Sequence, residues 1–264
     1  MPADVIEGLD EHHVEIVTAE KTYTTVYLIL AEGANARITN CFWDDDRILA
    51  PALESEVMLP PDKLAEYQGI ARFDFDVISS GYAWVFPKKD HISVGIGHFL
   101  NTKVGLNKIF DAYKQQLGLS EAYIERNRKG FVIPIKPRQA PYMKQRMILV
   151  GDAAGFADSI TAEGFTYALK SGIEAGKAIV KGNSPEEVFN LYHEGIREVV
   201  VQELHIINKL SKPFYISQKI RNTLFKQYGE RLCRGMANVL EGKQTYHKAF
   251  SKHDFIAHLL LGSK

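Results

Sequence analysis

Asp152 is the residue whose neighbours most readily suggest chemistry. It lies in Gly151-Asp152-Ala153-Ala154-Gly155, directly after the apolar run Met147-Ile148-Leu149-Val150. A run this short is consistent with a buried strand. The glycines let the backbone turn tightly and come close to another group. A second small-residue turn, Thr161-Ala162-Glu163-Gly164, opens a helix in which Ala168, Gly172, Ala175, Gly176 and Ile179 form a mostly small packing face. A strand, a turn with one carboxylate and a helix N-terminus suit a hydroxyl-rich, anionic ligand. Asp152 can accept hydrogen bonds from sugar-like hydroxyls. The free N–H groups near Gly164 and Phe165 can hold negative charge, helped by the helix dipole. The same residues also fit a plainer reading, with Asp152 as a turn cap and the small residues as close packing.

A second group of interest is Gly81-Tyr82-Ala83-Trp84-Val85-Phe86-Pro87-Lys88. Side chains alternate along a strand, so Tyr82, Trp84 and Phe86 share one face. Three large rings make an apolar wall that closes a core or lines a pocket for a flat or greasy ligand.

GDAAGF followed by TAEGFTYALKSGIEAGKAI resembles the second flavin motif of the geranylgeranyl reductase family, within the para-hydroxybenzoate hydroxylase-like FAD enzymes. The resemblance implies that Gly151 and Asp152 lie against FAD, with Asp152 holding the ribityl chain. It also implies that the amides of Gly164 and Phe165 face the flavin pyrimidine edge. Ala162 stands where the family usually has Gly, and Phe165 where it usually has Ile; both add bulk near the flavin. Ala31-Glu32-Gly33-Ala34-Asn35-Ala36 resembles the family's ADGANS turn below the FAD pyrophosphate, which places Ala31 at the cofactor. Glu32 and Ala36 depart from that pattern. The YAWVFPK stretch and Val94-Gly95-Ile96-Gly97 resemble the family's YxWxFPK signature and following strand, a wall of its lipid pocket. That makes Tyr82, Trp84 and Phe86 substrate-binding candidates.

The family's opening strand and GxGxxG turn, where glycines admit a dinucleotide pyrophosphate, have no counterpart here. The only glycine before Gly33 is Gly8. The expectation is a truncated chain or one part of a split enzyme, with a separate N-terminal flavin-domain polypeptide as a candidate partner.

The fold class expected is mixed α/β. It comprises an incomplete FAD/NAD(P)-binding domain with an inserted antiparallel-sheet substrate domain and a helical C-terminus. Residues 1–40 hold strands and a turn of the flavin domain, 41–145 the substrate sheet, 146–182 the returning flavin segment and 183–264 the helical region. Strands are expected at 14–18, 22–30, within 51–100 and at 130–134, with Lys88-Lys89-Asp90 as a hairpin turn. Alternation in ARFDFDV predicts a strand with one solvated face. Residues 103–117 form an amphipathic helix through Leu106, Ile109, Phe110, Tyr113 and Leu117. Ser184-Pro185-Glu186-Glu187 is a helix start, leading a helix to about Leu210. Pro213 is expected to interrupt it, with further helices near 214–228 and 230–260.

Composition sets the remaining bounds. The 264 residues are 45% apolar and 24% charged, ordinary for a soluble globular chain with a real core. No apolar run reaches the roughly 18 residues of a membrane span, and the N-terminus lacks a secretory pattern. Cys41 and Cys233 cannot build a disulfide framework, which suggests a reducing cytoplasm. Residues 205–264 carry eleven Lys and Arg against Glu230, Glu241 and Asp254, while the rest of the chain is acidic. This basic end suggests an anionic partner such as a membrane surface, or simply a solvated helix face. Asp44-Asp45-Asp46, His12-His13 and His253/His258 are weak metal candidates, because adjacent or five-spaced ligands do not converge on one point.

The implied function is reduction of isolated C=C bonds in a prenyl lipid by FADH2, with NAD(P)H or ferredoxin as electron donor and no nucleic acid involved. No general acid is identified; Tyr82 is a geometric candidate only. A flavin hydroxylase or halogenase of the same fold, and a non-catalytic lipid-binding remnant, are the alternatives.

Overall fold

The computed structural model describes residues 5–9, 12–100, 104–119, 123–246 and 248. Residue 103 of the expected amphipathic helix, residues 247 and 249–260 of the expected last helix, and His253/His258 lie outside the described residues. The chain divides into two units. The first takes Met1–Ile48, Pro134–Pro213 and Asn222–Lys264; the second takes Leu49–Ile133 and Phe214–Arg221.

In the first unit, β1 (Val5–Leu9), β2 (Val14–Val17) and β3 (Thr22–Thr25) form an antiparallel meander. The expected single strand over 22–30 is corrected to two. Thr25 Oγ1 donates to the Tyr27 carbonyl at 3.0 Å, a local side-chain bond that competes with the ladder. The chain then changes sheet. β4 (Leu28–Leu30) pairs in parallel with β11 (Met147–Leu149), which pairs antiparallel with β10 (Met143–Lys144). β11 is wholly buried, as a short apolar strand requires.

The second unit is built on five strands in the order β6 (Arg72–Phe75), β7 (Gly81–Pro87), β8 (His91–His98), β5 (Leu49–Met58), β9 (Ile124–Pro134). Lys88-Lys89-Asp90 makes the β7–β8 turn, closed by Lys88 N–H to the His91 carbonyl at 2.8 Å. β9 is longer than the expected 130–134. One sheet face carries Leu53, Val57, Ala83, Val85, Ile92, Val94 and Ile96, packed with Phe110 and Tyr113 of α3 (Leu106–Gln116). Asp74 does not simply face water: the Tyr113 hydroxyl donates to it at 2.6 Å.

The opposite face holds Phe73, Phe75, Tyr82, Trp84 and Phe86, as strand alternation requires. Their rings stand 5.2–6.2 Å apart, mostly edge to face. The glycines of β8 explain how these rings fit. A Cβ at Gly95 would lie 2.1 Å from the Trp84 ring, and one at Gly97 would lie 3.0 Å from the Phe99 ring. Gly95→Ala should therefore displace the indole and cost about 1–3 kcal/mol, the range for overpacking a tight core. Melting of the variant, with Trp84 emission read in a Trp43→Phe background, checks this.

The remaining helices are α1 (Thr39–Phe42), α2 (Pro61–Ala65), α4 (Phe165–Lys181), α5 (Pro185–Ile196), α6 (Glu203–Ile216) and α7 (Gln218–Leu240). Ser184 caps α5 by accepting the Glu187 N–H at 3.2 Å, with Pro185 in the first turn. A π-helical stretch, Arg197–Gln202, joins α5 to α6. Pro213 does not interrupt the helix: it lies inside α6, which runs on to Ile216. Only one turn follows it, so few helical bonds are at stake. Phe214 and Tyr215 hold that turn against Phe75 and Phe99, at 5.4 and 5.1 Å. α7 breaks at Tyr228, whose φ of −132° is not helical.

Candidate functional site

The strand–turn–helix around Asp152 is fixed from several sides. Gly151 has φ +56°, and a Cβ there would meet Ala168 of α4 at 3.0 Å. Its N–H donates to Ser171 Oγ at 3.0 Å. Gly155 has φ +79°, and a Cβ there would lie 2.4 Å from the Lys136 carbonyl. Both positions need glycine, in conformation and in space.

Two buried arginines, missed in the sequence, hold the turn's carbonyls. Arg47 donates to the Asp152 carbonyl at 2.8 Å and forks onto Asp45 at 2.7 and 2.8 Å. Arg138 donates to the Ala153 carbonyl at 2.8 Å, and to the Asp44 carbonyl and Asn40 Oδ1. The bonds from Arg47, with its charge and that of Arg138, hold the Asp45 carboxyl down to about 2, against the effect of burial. Asp46 accepts the Gln139 amide at 3.1 Å and lies 3.7 Å from Lys136. The acidic run that looked like a weak cation site thus braces the glycine turn. Glu32 is likewise engaged: its carboxylate accepts the amides of Ile38 and Thr39, both at 2.7 Å. Ala31 directly precedes it, exposed, at the end of β4.

The structure brings Asp152 and Gly164 together. Asp152 Oδ1 lies 3.0 Å from where a Cβ at Gly164 would be. Gly164 is the N-cap of α4 and Phe165 its first residue. Among the described residues, no hydrogen bond is made by the Asp152 carboxylate or by the Gly164 and Phe165 amides. The next amide, of Thr166, is taken by Glu163 at 2.7 Å. Burial pushes the Asp152 carboxyl up, Arg47 opposes this, and Glu163 adds to it. A half-buried carboxylate thus lies beside the start of a helix whose first two amides are, like it, not engaged by protein. These groups fit a ribityl hydroxyl and an electron-rich ring edge.

The turn leading into α4 has a strained residue. Ala162 has φ +59°, a region glycine occupies at no steric cost. Ala162→Gly should stabilise the chain by up to about 1 kcal/mol, part of the gain being lost to unfolded-state entropy. Chemical denaturation measures it.

The small face expected on α4 divides in two. Tyr167, Ser171, Ala175 and Ala178 are buried. Gly172 and Gly176 have nothing within 4 Å, and they lie on an exposed stripe with Phe165, Leu169, Ile173 and Val180. β4 is an edge strand among the described residues. Leu28 and Leu30 bond toward β11, so in a parallel ladder the polar groups of Ile29 turn outward. Tyr82, Trp84 and Phe86 belong to the second unit. There Tyr82 and Trp84 are buried and Phe86 half-buried, and the Trp84 indole N–H donates to Ser93 Oγ at 3.3 Å.

Geranylgeranyl diphosphate reductase of Arabidopsis thaliana chloroplasts is 28% identical over 231 residues, covering 82% of this chain and 48% of that relative. The Synechocystis enzyme of the same name is 33% identical over 179 residues, 64% of this chain and 42% of its own length. Both of these relatives carry the name geranylgeranyl diphosphate reductase. The chain spans about half the length of these relatives or less. A geranylgeranyl bacteriochlorophyll reductase-like structure from Thermoplasma acidophilum superposes with TM-score 0.64 at 18% identity, over 80% of this chain and 57% of that one. A flavin-dependent brominase superposes with TM-score 0.60 at 14% identity, over 85% and 60%. The fold is therefore one shared with flavin-dependent enzymes. No family model matches the sequence.

Proposed function

We propose that this chain is the flavin- and substrate-facing part of an FAD-dependent reductase that saturates isolated C=C bonds of geranylgeranyl or other prenyl chains. The observation that carries the reading is the approach of the unengaged Asp152 carboxylate to Gly164 at the start of α4, in a chain whose relatives include proteins named geranylgeranyl diphosphate reductase. Bound there, reduced FAD supplies the hydride. Asp152 accepts the ribityl hydroxyls. The Gly164 and Phe165 amides, with the α4 dipole behind them, stabilise negative charge on the ring. Gly151 lets the backbone approach, and Ala31 lies along the rest of the cofactor. An isolated alkene is poorly polarised, so the protein's contribution is orientation and exclusion of water. The substrate face of the sheet, with Tyr82, Trp84 and Phe86, is the proposed apolar wall.

NAD(P)H or ferredoxin is the proposed source of electrons. A strand and helix carrying a GxGxxG turn are the proposed occupant of the open β4 edge and the bare apolar stripe of α4. The proposed location is the cytoplasm, peripheral on an anionic membrane through the basic end. Among the described residues no helix is long and apolar enough to cross a membrane.

The test is anaerobic incubation of the chain, FAD, dithionite and geranylgeranyl diphosphate, with and without the GxGxxG unit of a relative. Mass spectrometry should show gain of one H2 per double bond. Flavin bound without any such gain, together with a product formed only in a parallel aerobic incubation with NADPH, would replace the reductase by a hydroxylase.

A further inference from the structure

We infer that Tyr246 is a positioning residue for the flavin turn, holding through Asp158 the loop that presents the Gly164 and Phe165 amides. The inference rests on the flavin reading of Asp152, Gly164 and Phe165. Asp158 is buried, and its Oδ1 accepts the N–H groups of Ile160 at 2.6 Å and Thr161 at 3.0 Å. Its own N–H donates to the Glu163 carbonyl at 2.8 Å, and its carbonyl accepts the Ala162 N–H at 2.9 Å. Residues 158–163 are therefore a loop closed on itself, and Gly164 follows it directly.

Asp158 Oδ2 accepts the Tyr246 hydroxyl at 2.6 Å. No Lys or Arg pairs with this carboxylate among the described residues, so amides and hydroxyls alone replace its water. Tyr246 is itself held, buried, by donation of its N–H to Glu203 Oε2 of α6 at 2.7 Å. A residue 88 positions downstream of Asp158 thus ties the flavin turn to the helical region. The Thr161 side chain also hydrogen-bonds to this carboxylate, so without the Tyr246 hydroxyl a buried carboxylate loses one of its few donors while the loop is closed. Opening the loop lets water reach it, so the open form gains population.

The test is amide hydrogen exchange on the full chain without flavin, alongside FAD titration by flavin fluorescence. Tyr246→Phe should raise exchange at Ile160, Thr161 and Ala162 about tenfold and weaken FAD by a similar or smaller factor. Exchange across Ile92–Ile96 in the other unit should not change. In an Asp158→Ala background, Tyr246→Phe should add much less, the remainder coming from its bond to the Thr161 side chain. Unchanged loop exchange in Tyr246→Phe would overturn the proposal. So would equal loosening in both backgrounds, or exchange that rises across the β8 strand as well. A wild-type chain that takes up no FAD would overturn the flavin reading instead, while the exchange comparison would still decide the role of Tyr246.

Discussion

Asp152→Ala will weaken FAD binding by about 10- to 100-fold, the range for losing hydrogen bonds to a charged acceptor, while the fold is retained. The second half follows from the direction of the carboxyl's shift. Burial raises its pKa above the ordinary value, so the folded state disfavours the ionised form. That penalty builds as pH rises from the unfolded pKa to the raised folded one, and is present at neutral pH. Removing the side chain removes the penalty, so the apo variant should melt at or above the wild-type temperature. Flavin fluorescence titration with a thermal melt checks both halves. A variant that binds FAD as tightly as wild type would contradict the assignment.

Arg138→Met will be the most destabilising single change near the site, by about 3–5 kcal/mol. Arg138 is 2% exposed, and its guanidinium serves the Ala153 and Asp44 carbonyls and Asn40. Met fills a comparable volume but donates to none of them, so buried acceptors lose their donor. Burial, then the charge of Arg47, holds the Arg138 pKa below its ordinary value, evidence that the cation is placed there at a cost. Urea denaturation measures the loss; a change under about 1 kcal/mol would show that Arg47 and the glycine turn suffice without it. FAD binding should weaken in the same variant at temperatures where it stays folded, because the carbonyl next to Asp152 is no longer held.

What could be read from the sequence was local. The GDAAG turn, the α4 start and the β7–β8 hairpin depend on residues within a few positions of one another, and their glycines have local or adjacent-strand reasons. The aromatic alternation of β7 was equally plain. The braces were not legible, because their partners are far apart: Arg47 reaches Asp152 and Arg138 reaches Asn40 across about a hundred residues. The run Asp44-Asp45-Asp46 therefore looked like surface charge or a poor cation site when its partners were arginines and an amide. The 22–30 run looked like one strand because each residue suits a strand, and only the Thr25–Tyr27 bond marks the change of sheet. Pro213 suggested a helix stop where aromatic packing holds one more turn. The open side of α4 could not be separated from its buried side, since small residues sit on both, alanine and serine on the buried one and glycine on the open one.

The measurement that tests the central claim most directly is a titration of the isotopically labelled chain with FAD, followed by backbone amide NMR. The Gly164 and Phe165 resonances should move saturably and by more than those of Lys177 or Lys181 at the far end of the same helix. Wild-type amides at 164 and 165 that stay fixed while flavin is demonstrably bound would place the cofactor elsewhere and contradict the account.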